Sequence, residues 1–361
     1  MTTILLIYLF LASGLMINSL QLLALPFWFL RCKRIYSFFV GKLNYMIFCW
    51  PICIAQWWAN IEIHNISSPE GFQKAGKERA LVVQNHKSQL DWVAAFLVAD
   101  SISLLEQSKA IVKKLVKYVP VFGFSVWFLD FIFLERRMDR DKPTIEKVTK
   151  SLKENDGLYN ILMFPEGTRF TPARHKRSQE YALKNGIQPL KCHLVPRTKG
   201  FVMVTQELRN SLEMLYDATV CVRGRKNPTF LDMLQGKPAI IDYFVRRVSL
   251  AEVPKDESTC KQYLYDVYQE KDRLFEHHLQ HEEFPFGKSD PKYSTYISKK
   301  LPKRQPPLYV VLCLSVLSVM QLIYFVYFAL TTGVLGVLVA IFLIVVSIFL
   351  LFVKILTPKS T

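Results

Sequence analysis

The sequence predicts an α/β fold, a mixed sheet flanked by helices, with a membrane anchor ahead of it and a transmembrane hairpin behind it. Three observations carry that prediction. Between residues 60 and 300, short β-rich runs alternate with amphipathic stretches, the pattern of a sheet covered by helices. Residues 3–30 form an uncharged, apolar block, longer than the roughly 20 residues that a bilayer-spanning helix needs. Residues 308–330 and 333–353 are two further blocks of spanning length, parted only by Thr331 and Thr332.

The first block reads as an uncleaved anchor, because its basic cluster (Arg31, Lys33, Arg34) follows the apolar run instead of preceding it. Basic residues also lie just before the hairpin (Lys299, Lys300, Lys303, Arg304) and just after it (Lys354, Lys359). The positive-inside rule places all three clusters, and so the middle of the chain, in the cytosol. The stretch "YMIFCWPICIAQWWA" (45–59) is short and interrupted by proline. It reads as a re-entrant or interfacial helix with Trp50, Trp57 and Trp58 at headgroup level, the alternative being a core helix of the soluble domain. The organisation expected is a membrane region over 1–60, a cytosolic domain over 61–280, a linker over 281–307 rich in Lys, Pro and Ser, and the hairpin with its tail over 308–361.

A formal net charge of +16 suits work against an anionic surface or on phosphorylated ligands. Nucleic acid is the rival partner, but no zinc-finger spacing, basic zipper or aromatic RNA-binding signature appears, and the membrane spans argue against it. The seven cysteines are scattered, without metal-ligand or disulfide patterning, as expected of thiols in a reducing compartment.

Within the middle, "ALVVQ" (80–84) reads as a buried strand and "WVAAFLVA" after Asp91 as a helix. "VWFLDFIFLER" (126–136) returns to strand after the breakers Pro120 and Gly123. Pro143 opens the next helix, which Asn155, Asp156 and Gly157 end. Further strands are expected at 158–164, 192–196, 217–223 and 239–248, and a long charged helix at about 258–280. The sequon Asn65-Ile66-Ser67 predicts no glycan if this region is cytosolic.

Two motifs concentrate chemistry. In "NHKSQLD" (85–91), His86 and Asp91 are five residues apart, which in one continuous helix would set them about 140° apart around the axis. They can meet only if His86 lies in the turn between strand and helix, with Asp91 in the first helical turn. An aspartate holding one imidazole nitrogen fixes the tautomer and supports the imidazolium formed when the other nitrogen takes a proton. "SQLD" also fits a capping box, so Asp91 has an ordinary structural reading beside the chemical one. In "FPEGTR" (164–169), Gly167 allows a tight turn and Arg169 can bind a phosphate through two parallel hydrogen bonds. Glu166 is a candidate to position donors or to pair with a lysine, and the alternative for the whole segment is a plain polar turn. "FIFLERR" (131–137) ends a third strand in Arg136 and Arg137, which by themselves read as a solvated cationic strand end.

The order NHxxxxD, a strand ending in Arg136, FPEGTR and an apolar-Pro turn at Val195-Pro196 resembles the four-block signature of the glycerophospholipid acyltransferases, the lysophosphatidic acid acyltransferase family. The likeness covers roughly residues 75–225. "LVPRTKGF", "YDATVCVRGRKNP" and the C-terminal hairpin extend it to the animal gamma, delta and epsilon group. The resemblance implies the glycerolipid acyltransferase fold and a catalytic dyad of His86 and Asp91. It implies substrate contacts from Asn85, Arg136, Glu166, Gly167, Thr168 and Arg169, and from Lys113 in "KKLVKYVPVFG". That stretch carries Leu115 where the family has an acid, and Asp130 stands where the second block has glycine.

The expected reaction passes an acyl group from acyl-CoA to the sn-2 hydroxyl of lysophosphatidic acid at the endoplasmic reticulum membrane, with the catalytic domain facing the cytosol. His86 acts as general base, with no metal and no cofactor beyond the acyl-CoA co-substrate. Another lysophospholipid acceptor, such as lysophosphatidylinositol or lysocardiolipin, is the alternative within the class. A hydrolase using the same base is the competing enzyme class, though Gly123-Phe-Ser125-Val-Trp127 fails the GxSxG elbow at its last position. A non-catalytic lipid-binding scaffold is the third.

Overall fold

The computed structural model describes residues 2–30, 32–135, 137–154, 157–224 and 227–332, with isolated positions beyond. Eight strands form one sheet: β1 (Glu62–Ser67), β2 (Ala80–Gln84), β3 (Ser108–Lys113), β4 (Ile132–Leu134), β5 (Asn160–Met163), β6 (Met214–Val222), β7 (Ile240–Ser249) and β8 (Ile297–Lys300). Their spatial order is β4-β3-β5-β2-β6-β7-β1-β8. The first five run parallel, β7 turns antiparallel to β6, β1 follows β7 in parallel, and β8 closes the edge antiparallel to β1. The sheet is therefore mixed. All five parallel strands end at one edge, where open α/β sheets carry their sites.

Alternation along each strand divides the side chains between two cores, because successive residues point to opposite faces. Leu81, Val83, Ile161 and Met163 face a core shared with Ile145, Leu152, Phe201, Leu264 and Tyr268. These come from the helices Met138–Lys153, Thr198–Glu207 and Glu257–His281. Leu162, Ala218 and Val220 face the opposite core, with Ile47, Phe48, Trp50, Val93, Ala94 and Phe96. Those belong to the helices Lys33–Cys53 and Asp91–Ser101.

The second of these cores revises the expectation for residues 45–59. The helix begins twelve residues earlier, at Lys33, and continues past Pro51 into a wider π-turn over Ile54–Trp58. Its length and composition suffice to cross a membrane, yet 67% of its apolar window is buried inside the protein. Trp50, expected at headgroup level, is 1% exposed and donates its ring N–H to Ser13 Oγ at 3.0 Å. The core-helix alternative describes that part of the segment. Thr2–Phe29 and Gln305–Thr332 are likewise long and apolar enough to span, and Tyr8 on the first donates to the Ser318 carbonyl of the other at 2.9 Å. The second arm of the expected hairpin, 333–353, lies outside the described residues apart from isolated positions.

Four local expectations are corrected. Phe122–Phe128 is helical, and among the described residues of the 126–136 run only Ile132–Leu134 is strand. Pro143 sits inside a helix that already starts at Met138, where its missing N–H removes one ladder bond of the second turn. Residues 192–196 form an irregular loop. The expected linker instead supplies β8, and it buries Phe284 and Tyr293 against Phe244 of the sheet. Asn65 lies in β1 with 8% exposure, so a missing glycan there reports burial as much as topology.

Candidate active site

The turn after β2 places His86 where the sequence argument required. His86 Nδ1 lies 3.0 Å from Asp91 Oδ2. The same oxygen accepts the backbone N–H groups of Lys87 at 2.7 Å and Ser88 at 2.8 Å. Of the capping pattern only the bond from the acid back to the Ser88 N–H is formed, because the helix Asp91–Ser101 starts after Leu90 with no side-chain cap; the carboxylate holds the turn and orients the ring. Facing a carboxylate, Nδ1 carries the proton and Nε2 keeps the lone pair. The Asp91 side chain is 3% exposed and that of His86 21%, so the ring reaches the open face while its partner does not. The Phe164 ring lies 4.4 Å from the imidazole, centre to centre.

The segment after β5 packs against this turn. Gly167 adopts φ +68° and closes a tight turn by donating to the Phe164 carbonyl at 2.9 Å. A Cβ there would also meet Arg197 Cδ at 3.0 Å. Phe170 donates its N–H to the His86 carbonyl at 2.9 Å. Glu166, expected to contact substrate, is 2% exposed and is committed elsewhere: Oε1 accepts the His86 N–H at 2.8 Å and Oε2 the Leu194 N–H at 3.3 Å. It positions donors, the first of the two roles open to it in the sequence. Burial pushes its carboxyl up to about 8, against the pull of those two N–H donors and of Lys87.

Asn85 is corrected in the same way. It is fully buried, and its amide binds both backbone groups of Val220 in β6, at 3.0 and 2.7 Å. Its polar atoms tie the turn to the neighbouring strand instead of facing a substrate. Thr168 is half-buried. Arg169 is half-buried too; burial draws its pKa down while the charge of Asp91 raises it, so the guanidinium and the dyad carboxylate share one field. Lys113 ends β3 on a shallow basin with Lys114, Leu134, Glu135 and Arg140, at the same sheet edge as His86. Arg136 lies outside the described residues.

The fourth block arrives as a loop. Arg197 donates its N–H to the Pro165 carbonyl at 2.8 Å, and Val195 donates to Ser178 Oγ at 2.7 Å, which sets the Val195-Pro196 turn against "FPEG". Sequence reasoning gave no role to Lys87. Its Nζ donates to the Cys192 carbonyl at 2.5 Å and sits 4.2 Å from the ring centres of both Phe170 and Phe275; burial lowers its pKa. No spacing in the sequence signals such a contact. Among the described residues, no group of three or more His, Cys, Asp or Glu side chains is placed to hold a metal ion.

Comparison with known proteins supplies the family. The Acyltransferase family model matches residues 60–223 and the Acyltransferase C-terminus model residues 232–314. The human 1-acyl-sn-glycerol-3-phosphate acyltransferase delta is 36% identical over 278 residues, 77% of this chain and 73% of the relative. The human gamma protein is 34% identical over 77% and 74%. The chain belongs to this acyltransferase family. It is a glycerolipid acyltransferase by that membership, and the C-terminus model explains why β8 and the supposed linker are part of the domain. The crystal structure of the 1-acyl-sn-glycerophosphate (LPA) acyltransferase PlsC from Thermotoga maritima aligns with TM-score 0.42 and 15% identity, covering 75% of this chain and 95% of that one.

Proposed function

We propose that the protein transfers a fatty acyl group from acyl-CoA to the sn-2 hydroxyl of lysophosphatidic acid, giving phosphatidic acid and free CoA. The observation that carries this reading is the His86–Asp91 pair, 3.0 Å apart, with the ring half open and the carboxylate sealed. His86 Nε2 takes the hydroxyl proton, and the oxygen attacks the thioester carbonyl. The tetrahedral intermediate collapses by breaking the C–S bond, and the CoA thiolate leaves with the proton from the imidazolium. No acyl-enzyme forms. Holding both substrates at one sheet edge supplies proximity.

Arg169 is the phosphate contact in this reading, close enough to Asp91 to feel its charge, and Lys113 and Arg136 are proposed to extend the basic surface. An acyl chain leaving the bilayer costs about 0.8 kcal/mol per methylene, so the site works at a membrane face, which the three apolar helices support. Arg304, at the base of the last described helix, hydrogen-bonds the Asp100 carbonyl. That bond keeps a basic cluster against the domain and favours a domain on the cytosolic side, here of the endoplasmic reticulum.

A lipid-resolved assay offering several lysophospholipids and a mixture of acyl-CoAs tests the proposal. Phosphatidic acid from lysophosphatidic acid is expected, and His86→Ala should abolish it while leaving expression and membrane insertion intact. Free fatty acid in place of diacyl product would mark a hydrolase. Preference for another headgroup would move the acceptor and keep the chemistry.

A further inference from the structure

The molecule holds a second His–Asp pair built like the first. Asp272, on the helix Glu257–His281, accepts the N–H groups of Lys191 at 2.6 Å and Cys192 at 2.8 Å and faces His193 Nδ1 at 2.9 Å. His193 is fully buried, with the Tyr268 and Phe275 rings edge-on to it, and burial lowers its pKa to about 4. Burial opposes ionisation of Asp272, yet His193 and the two N–H donors hold its carboxyl below the usual range. A neutral imidazole sealed from solvent cannot exchange protons with a substrate.

Its loop leads to His86 by two routes. Leu194 donates to Glu166, whose other oxygen accepts the His86 N–H. The Cys192 carbonyl accepts Lys87 Nζ, next in sequence to His86, and Phe275, three residues after Asp272, lies against that ammonium. Beside Asp272, Lys271 reaches the carbonyls of Val83, next to the end of β2, and of Ala218, at the middle of β6, at 3.1 and 2.5 Å. It also pairs with Asp217.

We propose that Asp272 is a positioning residue for His86, acting through the 191–194 loop, Glu166 and Lys87. The inference rests on the general-base reading of His86. Three donors converge on Asp272, and only a carboxylate offers them acceptors on both atoms. An amide in its place turns an NH2 group toward a backbone N–H and releases one side of the loop. Carboxylates one layer behind the ligands of metal sites typically change activity about 10–100-fold when altered, and Asp272 stands one step further back, behind the loop that meets Glu166 and Lys87.

The test compares full-length wild type, His86→Ala, Asp272→Asn, Glu166→Gln and the Glu166→Gln/Asp272→Asn double variant. Each is assayed with lysophosphatidic acid and oleoyl-CoA below its own unfolding midpoint. Asp272→Asn should lower kcat about 10-fold or more with KM for both substrates within about twofold. Its additional effect in the Glu166→Gln background should be smaller than in wild type, because both substitutions cut one chain of bonds. An unchanged kcat, or losses that simply multiply, overturns the proposal. If Asp272→Asn does not fold, Lys87→Met cuts the second route and is judged by the same two kcat and KM criteria. An active His86→Ala overturns the base and the positioning together. A dead His86→Ala beside an unaffected Asp272→Asn overturns the positioning alone.

Discussion

Asp91 Oδ2 serves a ring nitrogen and two backbone N–H groups at once, and Glu166 is the opposite case, a carboxylate spread over two donors from separate segments. Burial raises the Glu166 carboxyl from its ordinary value near 4.5 to about 8. A folded-state pKa above the unfolded one means that the native protein holds the proton more tightly. The stability so contributed is complete below the unfolded value and is lost as pH rises through about 8. The unfolding midpoint of wild type, referred to that of Glu166→Gln, should therefore fall between about pH 4.5 and about pH 8 and level off above it; a difference independent of pH would contradict this. Arg169→Ala should raise KM for lysophosphatidic acid by about tenfold or more, the worth of a charge-assisted hydrogen bond. A loss confined to acyl-CoA would count against its proposed role.

At the scale of elements, the first apolar helix does more than anchor. A Cβ on Gly14 would run into the Val121 side chain, and Val121 has φ +66°, a conformation that a β-branched residue adopts only when its surroundings impose it. One turn further, Asn18 donates to Gln21 and to Ser125 Oγ, each at 2.8 Å, a buried polar cluster between this helix and Phe122–Phe128. Phe122 packs on Trp92, the neighbour of Asp91. Gly14→Val should therefore reduce activity and lower the unfolding midpoint by the equivalent of about 1–3 kcal/mol, the usual cost of overpacking. Gly14→Ala should lie between it and wild type. Wild-type behaviour of both would show that the contact is dispensable.

For the whole molecule, the sheet brings His86, Lys113 and the "FPEGTR" turn to one edge, since β2, β3 and β5 are parallel and each of the three stands at the end of one of them, while the fourth block reaches that edge as a loop. The topology proposal has its own check. Lys184 is exposed and closes the last turn of the helix Pro172–Lys184. In a cysteine-free background, Lys184→Cys should react with a membrane-impermeant maleimide in sealed microsomes without permeabilisation. Labelling only after permeabilisation would place the domain in the lumen.

The sequence by itself determined the α/β class, the outer apolar helices, the turn that lets His86 meet Asp91, and the glycine turn of "FPEGTR". These depend on periodicity, local turn chemistry and spacing within a few residues. Tertiary structure alone decided the burial of Asn85 and Glu166, the seat of Lys87 between two rings, the second His–Asp pair and the place of β8. Each depends on what another strand or helix brings within hydrogen-bonding distance, as Val220 does for Asn85 across 135 residues. The same reason governs the helix from Lys33: apolar composition favours lipid and a protein core alike, and only the presence of an uncovered sheet face settled which one its inner side meets.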